Sequence, residues 1–233
     1  MSGSSMATGL MAFWAEIDPD YVLRYQEWHN CEHIPERVSI PGFRRGRRYR
    51  CSSGAPSFLM MYEVDSPAVL ASAPYMARLN APTPWTREAL THFRKPHRGI
   101  YALMDEAGQE GPFCAPWLTA LRFKLAAGAG DGAARDWLAA MAGCPGVGRV
   151  QLWAADVATS GIVTNERRIY GGAGPDDHLL LLIEADLPHA AQGDVLAAGD
   201  AAAPALAERS EPVLGCYWLE IHHEAGTPAG ETA

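Results

Sequence analysis

No stretch of this sequence reaches the roughly 18 consecutive apolar residues that a membrane-crossing helix needs, so no membrane partner is expected. The opening MSGSSMATGLMAFW has no basic residue ahead of its apolar part and soon meets Glu16, so it does not read as a secretory signal. Cations are in short supply: 19 Lys and Arg stand against 27 Asp and Glu, for a net charge of -8. Nucleic-acid binders displace counterions with an excess of cationic side chains, so no nucleic-acid partner is expected either. Cysteine is scarce and scattered, at Cys31, Cys51, Cys114, Cys144 and Cys216, with no C-x-x-C. An odd number at wide spacing fits neither a disulfide framework nor a zinc ribbon, so no metal is read and a reducing cytoplasm is the expected compartment. Charged residues are 20% and hydrophobic ones 48%, which excludes disorder over most of the chain.

What is present is a diverged internal repeat across 233 residues, long enough for one large domain or two small ones. The first half reads as an apolar strand from Leu10 to Ile17, then Asp18-Pro19 as a helix start and a helix from about Asp20 to Val38, which Pro35 can end and restart as a short one. Strands follow at Phe43 to Cys51 and Phe58 to Val64. Ser66-Pro67 opens a second helix to about Asn80, and a strand from Gly99 to Asp105 closes the unit. The second half repeats the order: strand Trp117 to Leu125, Ala-rich helix Ala133 to Ala142, strands Val147 to Ala154 and His178 to Ala185, a helix opened by Pro188, and strand Gly215 to Ile221. YEVDSP (Tyr62 to Pro67) matches IEADLP (Ile183 to Pro188), and Pro41-Gly42 matches Pro145-Gly146. Thr159 to Asp177 is an insertion of the second half alone. Each half is thus β-α-β-β-α-β, and the expected division is residues 6–108 and 113–225. The fold class is α+β: two tandem ferredoxin-like repeats packed sheet to sheet as an α+β barrel around a cavity.

Trp28 to Tyr49 reads WHNCEHIPERVSIPGFRRGRRY. This resembles the EthD-like branch of the dimeric α+β barrel superfamily, at Trp28, Glu32, His33, Pro35, Glu36, Pro41, Gly42, Phe43, Arg47, Arg48 and Tyr49. The specific match covers about twenty residues; the second half keeps Pro145-Gly146 but has no Glu-His pair on its first helix. The resemblance implies a barrel with an internal pocket and small enzymes acting on organic molecules without a cofactor. The superfamily also holds haem enzymes and cofactor-free oxygenases, so it does not fix the reaction.

At about 100° per residue, Tyr21, Val22, Tyr25, Trp28, His29, Glu32, His33 and Glu36 fall on one stripe of the first helix, which the aromatic residues mark as inward. Buried ionisable groups are costly unless paired or used. His33 is therefore the expected general acid or base, with Glu32 beside it raising its pKa and fixing its tautomer. The plainer reading is that both pin the helix to the arginine strand. His29 to His33 also fits H-x-x-E-H, but no third ligand is in view, so a zinc peptidase is not expected. Cys31 lies off the stripe and reads as inert packing.

Arg44, Arg45, Arg47, Arg48 and Arg50 crowd the next strand. Alternation puts Arg45, Arg47 and Tyr49 on one face with Phe43, and Arg44, Arg48 and Arg50 on the other. Most should pair with Glu32, Glu36, Glu63 and Asp65; Arg48 and Tyr49, at the family-like positions, are expected to stabilise an oxyanion. His92 to Arg98 could cover a cavity mouth but reads more plainly as a solvated loop, and His222-His223 reads as a frayed tail. The glycine-rich Gly171 to Gly174 lacks the setting of a phosphate loop.

The expected function is a cofactor-independent enzyme of lyase or isomerase type, doing cyclisation, isomerisation, dehydration or decarboxylation on a small carbonyl-bearing or aromatic metabolite in the barrel cavity. Catalytic candidates are His33, Glu32, His29, Arg48 and Tyr49; substrate-binding candidates are Trp14, Tyr25, Trp28, Glu36, Tyr62 and Arg47. Two other readings stay open: haem or cofactor-free oxygen chemistry with a histidine ligand, and a non-catalytic ligand-binding module. The partner is a small molecule, and the chain is either a monomeric pseudo-dimer or a homodimer. Because acid-base groups occupy one half only, a single site in the first repeat is expected.

Overall fold

In the computed structural model the first repeat runs β1 (Gly9–Ile17), α1 (Val22–Trp28), one π-helical turn (His29–His33), α2 (Ile34–Val38), β2 (Phe43–Gly54), β3 (Phe58–Val64), a 3-10 turn (Pro67–Ala71), α3 (Ala73–Asn80), α4 (Pro84–Leu90) and β4 (Phe93–Gly108). The second runs β5 (Trp117–Leu125), α5 (Asp131–Ala142), β6 (Val147–Ala155), α6 (Val157–Ser160), α7 (Asn165–Tyr170), β7 (Leu179–Ala185), α8 (Gly193–Ala202), α9 (Pro204–Ala207) and β8 (Arg209–Glu224). The structure describes residues 7–226 apart from 55, 112, 126–130, 173 and 189–192.

The first sheet is ordered β4-β1-β3-β2 and the second β8-β5-β7-β6, the same order twice. β2 pairs with β8 and β4 with β6, both antiparallel, so the two sheets close into one eight-stranded barrel with no free edge. Among the described residues no helix is long and apolar enough to cross a membrane.

Alternation along β1 builds two cores. Leu10, Ala12 and Trp14 point into the barrel, while Met11, Phe13, Ala15 and Ile17 point out under the helices. The lumen is filled by Trp14, Tyr49, Tyr101, Trp153 and Tyr217 with Leu59, Met61, Leu118, Leu180 and Leu182. Burying such side chains stabilises by about 1.5–3 kcal/mol each. The expected cavity inside the barrel is therefore corrected: aromatic residues occupy that space, as in other small barrels.

One end of the lumen is ionic. Arg47, 1% exposed, donates from Nη2 to Glu63 at 2.6 Å and to Glu184 at 2.8 Å. Arg149 reaches the same Glu184 at 2.9 Å, and Arg45 reaches Glu63 at 2.9 Å. Burial opposes ionisation of Glu184, but Arg47 and Arg149 outweigh it and hold its pKa at about 2. The cluster ties β2 and β3 to β6 and β7, across both repeats.

Several local expectations are corrected. A bulge between Phe43 and Arg45 shifts the phase of β2. Phe43 packs under the helices while Arg47 and Tyr49 face the lumen. Of the carboxylates expected to pair with the arginine strand, Glu63 and Asp65 do so, whereas Glu32 and Glu36 turn elsewhere. The His92–Arg98 run is no loop: β4 begins at Phe93, pairing with Ile17 of β1. Nor is His222-His223 a frayed tail, since His222 pairs with Arg47 and His223 with Gly46. Asp18 does not cap α1; it binds His92 at 3.0 Å and Arg94 at 2.6 Å. Cys31 is exposed rather than packed.

Candidate active site

The first helix does not run straight through to Val38. Pro35 has no N–H to give to the preceding turn. The chain widens into a π turn in which the Ile34 N–H reaches back to the His29 carbonyl. Such turns occur often at functional sites. This one stacks the rings of His29 and His33, centroids 5.6 Å apart, and both side chains are buried.

Beneath the turn, between the outer face of the first sheet and its helices, lies a narrow cavity of about 40 Å³. Its walls are mainly aromatic and apolar: Phe13, Trp28, Tyr75, Phe93 and Tyr170 with Met11 and Met60. Its polar groups are His33, Tyr62, Arg37, Arg98, Thr164 and Glu166. A few convergent polar groups in an apolar concavity are the usual makings of a small-molecule site.

His33 packs against Trp28 with ring centroids 4.4 Å apart and planes tilted by 38°, and its Nδ1 is buried with no hydrogen-bond partner among the described residues. Burial, then Arg37, then His29 lower its pKa well below the ordinary histidine value. The imidazole is thus neutral, and the expectation that a neighbouring carboxylate raises its pKa is corrected. Glu32 is the reason: it turns toward α4 and accepts from Thr83 at 2.6 Å and Thr86 at 3.1 Å. Thr83 also caps α4 by accepting from the Thr86 N–H.

Arg37, 1% exposed, donates to Glu36 at 3.1 Å and to Glu166 at 2.5 Å. Burial is the largest influence and would weaken its hold on the proton, but Glu166, Tyr75, Glu36 and Tyr62 together outweigh it and raise its pKa. On Glu166 burial wins, pushing the carboxyl above its usual range despite Arg37. Arg98 contributes a second guanidinium, 3.4 Å from the Tyr75 hydroxyl.

Glu166 belongs to the second repeat. The 159–177 insertion folds as α6 and α7, and α7 crosses onto the first repeat. Asn165 grips both the side chain and the carbonyl of Asn80, at the end of α3, and Tyr170 meets Phe13 edge to face at 5.0 Å. Gly171, at φ +70, then turns the chain away. Sequence reasoning missed Arg37, Thr164, Glu166 and Tyr170, and met Arg98 and Phe93 only as part of a run that could cover a cavity mouth. Thr164-Asn165-Glu166 does carry a cap-plus-acid helix signal, but nothing in its spacing points to the other repeat.

Of the sequence candidates, His33, Trp28 and Tyr62 line the cavity. His29, Tyr25 and Arg48 form a layer behind it: the Arg48 guanidinium lies 5.5 Å from the Tyr25 ring, and Arg48 bonds Glu220 at 2.7 Å. Trp14, Arg47 and Tyr49 sit in the lumen, where the Tyr49 hydroxyl donates to the Ala115 carbonyl at 3.1 Å. Glu36 pairs with Arg37 outside the cavity lining. The corresponding layer of the second repeat is filled by Trp137, Leu138, Met141, Val195 and Leu196.

No protein-family model and no curated protein matches the chain. Solved structures do. An anthrone oxidase-like protein superposes with a TM-score of 0.61 at 12% identity, over 100% of this chain and 99% of that one. A "putative monooxygenase" from Fusobacterium nucleatum gives 0.60 at 5% identity, over 94% and 96%. A mutant chlorite dismutase from Candidatus Nitrospira defluvii gives 0.55 at 11% identity, over 92% of each chain. The chain therefore shares the dimeric α+β barrel fold of these proteins. Haem fits poorly beside His33: Trp28 covers the imidazole face, the space is far narrower than a macrocycle, and both nitrogens of His29 are engaged.

Proposed function

We propose that this chain is an enzyme that moves a proton on a small, planar, carbonyl-bearing substrate held beneath the π turn, with His33 as the base. The observation that carries the reading is the buried imidazole of His33, its Nδ1 without a hydrogen-bond partner among the described residues, beside an aromatic-walled cavity. An unprotonated imidazole accepts a proton without first losing one, and the anion formed beside it raises its basicity as the proton transfers. The product of the step is an enolate, whose charge Arg37 and Arg98 offset from across the cavity. Collapse of that enolate by reprotonation elsewhere, or by loss of a leaving group, gives isomerase or lyase chemistry.

A second reading is favoured by the likeness to an anthrone oxidase-like protein. Here the same enolate is formed and molecular oxygen then oxidises it. Both readings share the proton abstraction, so one experiment tests both. The α-protons of 1-indanone are followed by NMR in deuterated buffer, with dissolved oxygen monitored in parallel. Enzyme-dependent exchange that drops at least a hundredfold in His33→Ala is expected. Binding of the ketone without exchange above buffer would contradict catalysis and leave a ligand-binding module.

A further inference from the structure

The layer behind the cavity has a direction. Arg48 Nη1 lies 3.3 Å from His29 Nδ1 and 2.8 Å from the Asn30 side-chain oxygen. A guanidinium has donors only, so His29 Nδ1 must accept. In a neutral imidazole the other nitrogen then carries the hydrogen. That nitrogen, Nε2, lies 3.2 Å from the Tyr62 hydroxyl. Were Tyr62 the donor instead, His29 would turn an N–H against the N–H of Arg48. The tyrosine oxygen is therefore an acceptor from His29, and its own hydrogen is left over. No other hydrogen bond is made by this hydroxyl among the described residues, and Tyr62 lines the cavity.

Tyr62 also lies close over Gly46. A methyl group there would come within 2.9 Å of the Tyr62 ring and 3.1 Å of Ile34, so glycine leaves the room that the ring occupies.

We infer that the Arg48–His29–Tyr62 chain aims the Tyr62 O–H into the cavity as a preset hydrogen-bond donor, selecting ligands that present a carbonyl or enolate oxygen there. Tyr62 is the catalytic donor in this scheme, and His29 and Arg48 are positioning residues. Each bond in the chain runs the same way, from Arg48 to His29 and from His29 to Tyr62, and each donor strengthens the next. The inference rests on the proposed function for its substrate class, but its directionality follows from the protein alone.

Two measurements test it. The first is the tautomer of His29 in the unliganded wild-type protein, read from the two ring nitrogen shifts by ¹⁵N NMR. Hydrogen on Nε2 is expected, and hydrogen on Nδ1 would overturn the inference. The second compares 1-indanone with indane, which lacks the carbonyl, by NMR titration of wild type and Tyr62→Phe, and records the ketone C=O stretch. Wild type should favour the ketone about five- to tenfold, the worth of roughly 1 kcal/mol for one hydrogen bond, with the stretch moved to lower frequency. Tyr62→Phe, nearly isosteric, should lose the preference and the frequency shift while binding indane unchanged. A preference that survives in Tyr62→Phe would overturn the donor role. If neither probe binds, the aromatic-ligand reading of the cavity fails, and the His29 tautomer still decides the direction of the chain.

Discussion

Two histidines sit where water does not reach, and this has consequences that can be measured. His29 and His33 are both held neutral, mainly by burial, with Arg48 and Arg37 adding positive charge nearby. Above about pH 6.5 the folded and unfolded chains both carry neutral imidazoles, and pH has no leverage through them. Below it the unfolded chain takes up protons that the folded chain refuses. Stability should fall as pH drops, by up to ~1.4 kcal/mol per unit for each histidine. Urea titrations at about pH 7.5 and 5.5 check this; His33→Ala should be the less acid-sensitive protein. By the same sign, indanone exchange should stay level across neutral pH and decline only in acid. The inward placing of His33 was legible in the sequence because it stood on an aromatic stripe. Its neutrality was not, because that depends on Glu32 turning toward Thr83 and Thr86, which no spacing on the helix reveals.

The element that completes the cavity comes from the wrong half of the chain. α7 brings Glu166 to Arg37 inside an apolar wall, so removing Glu166 leaves the buried guanidinium with Glu36 alone to balance it. Glu166→Leu should cost about 3–5 kcal/mol, whereas Arg37→Met with Glu166→Leu should cost much less. Thermal melts of the single and double variants supply the comparison, and an additive pair would mean that the contact is not formed in solution. The sequence showed that residues 159–177 were extra, since no counterpart exists in the first half. It could not show where they go, because the contacts to Asn80 and Phe13 span more than eighty residues and follow no repeat. The π turn was half visible: Pro35 marks a break in the helix, and the break keeps the backbone helical while widening it.

Closing two sheets into one barrel makes the repeats depend on each other. The seams β2–β8 and β4–β6 and the buried Arg45, Arg47, Arg149, Glu63 and Glu184 cluster all join one half to the other. Arg47→Met should therefore destabilise by about 3–5 kcal/mol, and both halves should melt together, as read by hydrogen exchange in β1 and β7. Melting of the second repeat alone would count against closure. The doubled strand order was legible from Pro41-Gly42 against Pro145-Gly146 and from YEVDSP against IEADLP. What misled was the lumen. A cavity was expected inside the barrel, yet Trp14, Tyr49, Tyr101, Trp153 and Tyr217 are large enough to fill that space. The cavity instead opens on the helix-covered face, where His33, Arg37 and Tyr62 lie. The most direct test is a crystal structure with 1-indanone bound. The ketone is predicted in the cavity lined by Phe13, Trp28 and Phe93, with its carbonyl toward Tyr62 and its α-carbon toward His33. A ketone found in the barrel lumen, or under α5 and α8 of the second repeat, would contradict the account.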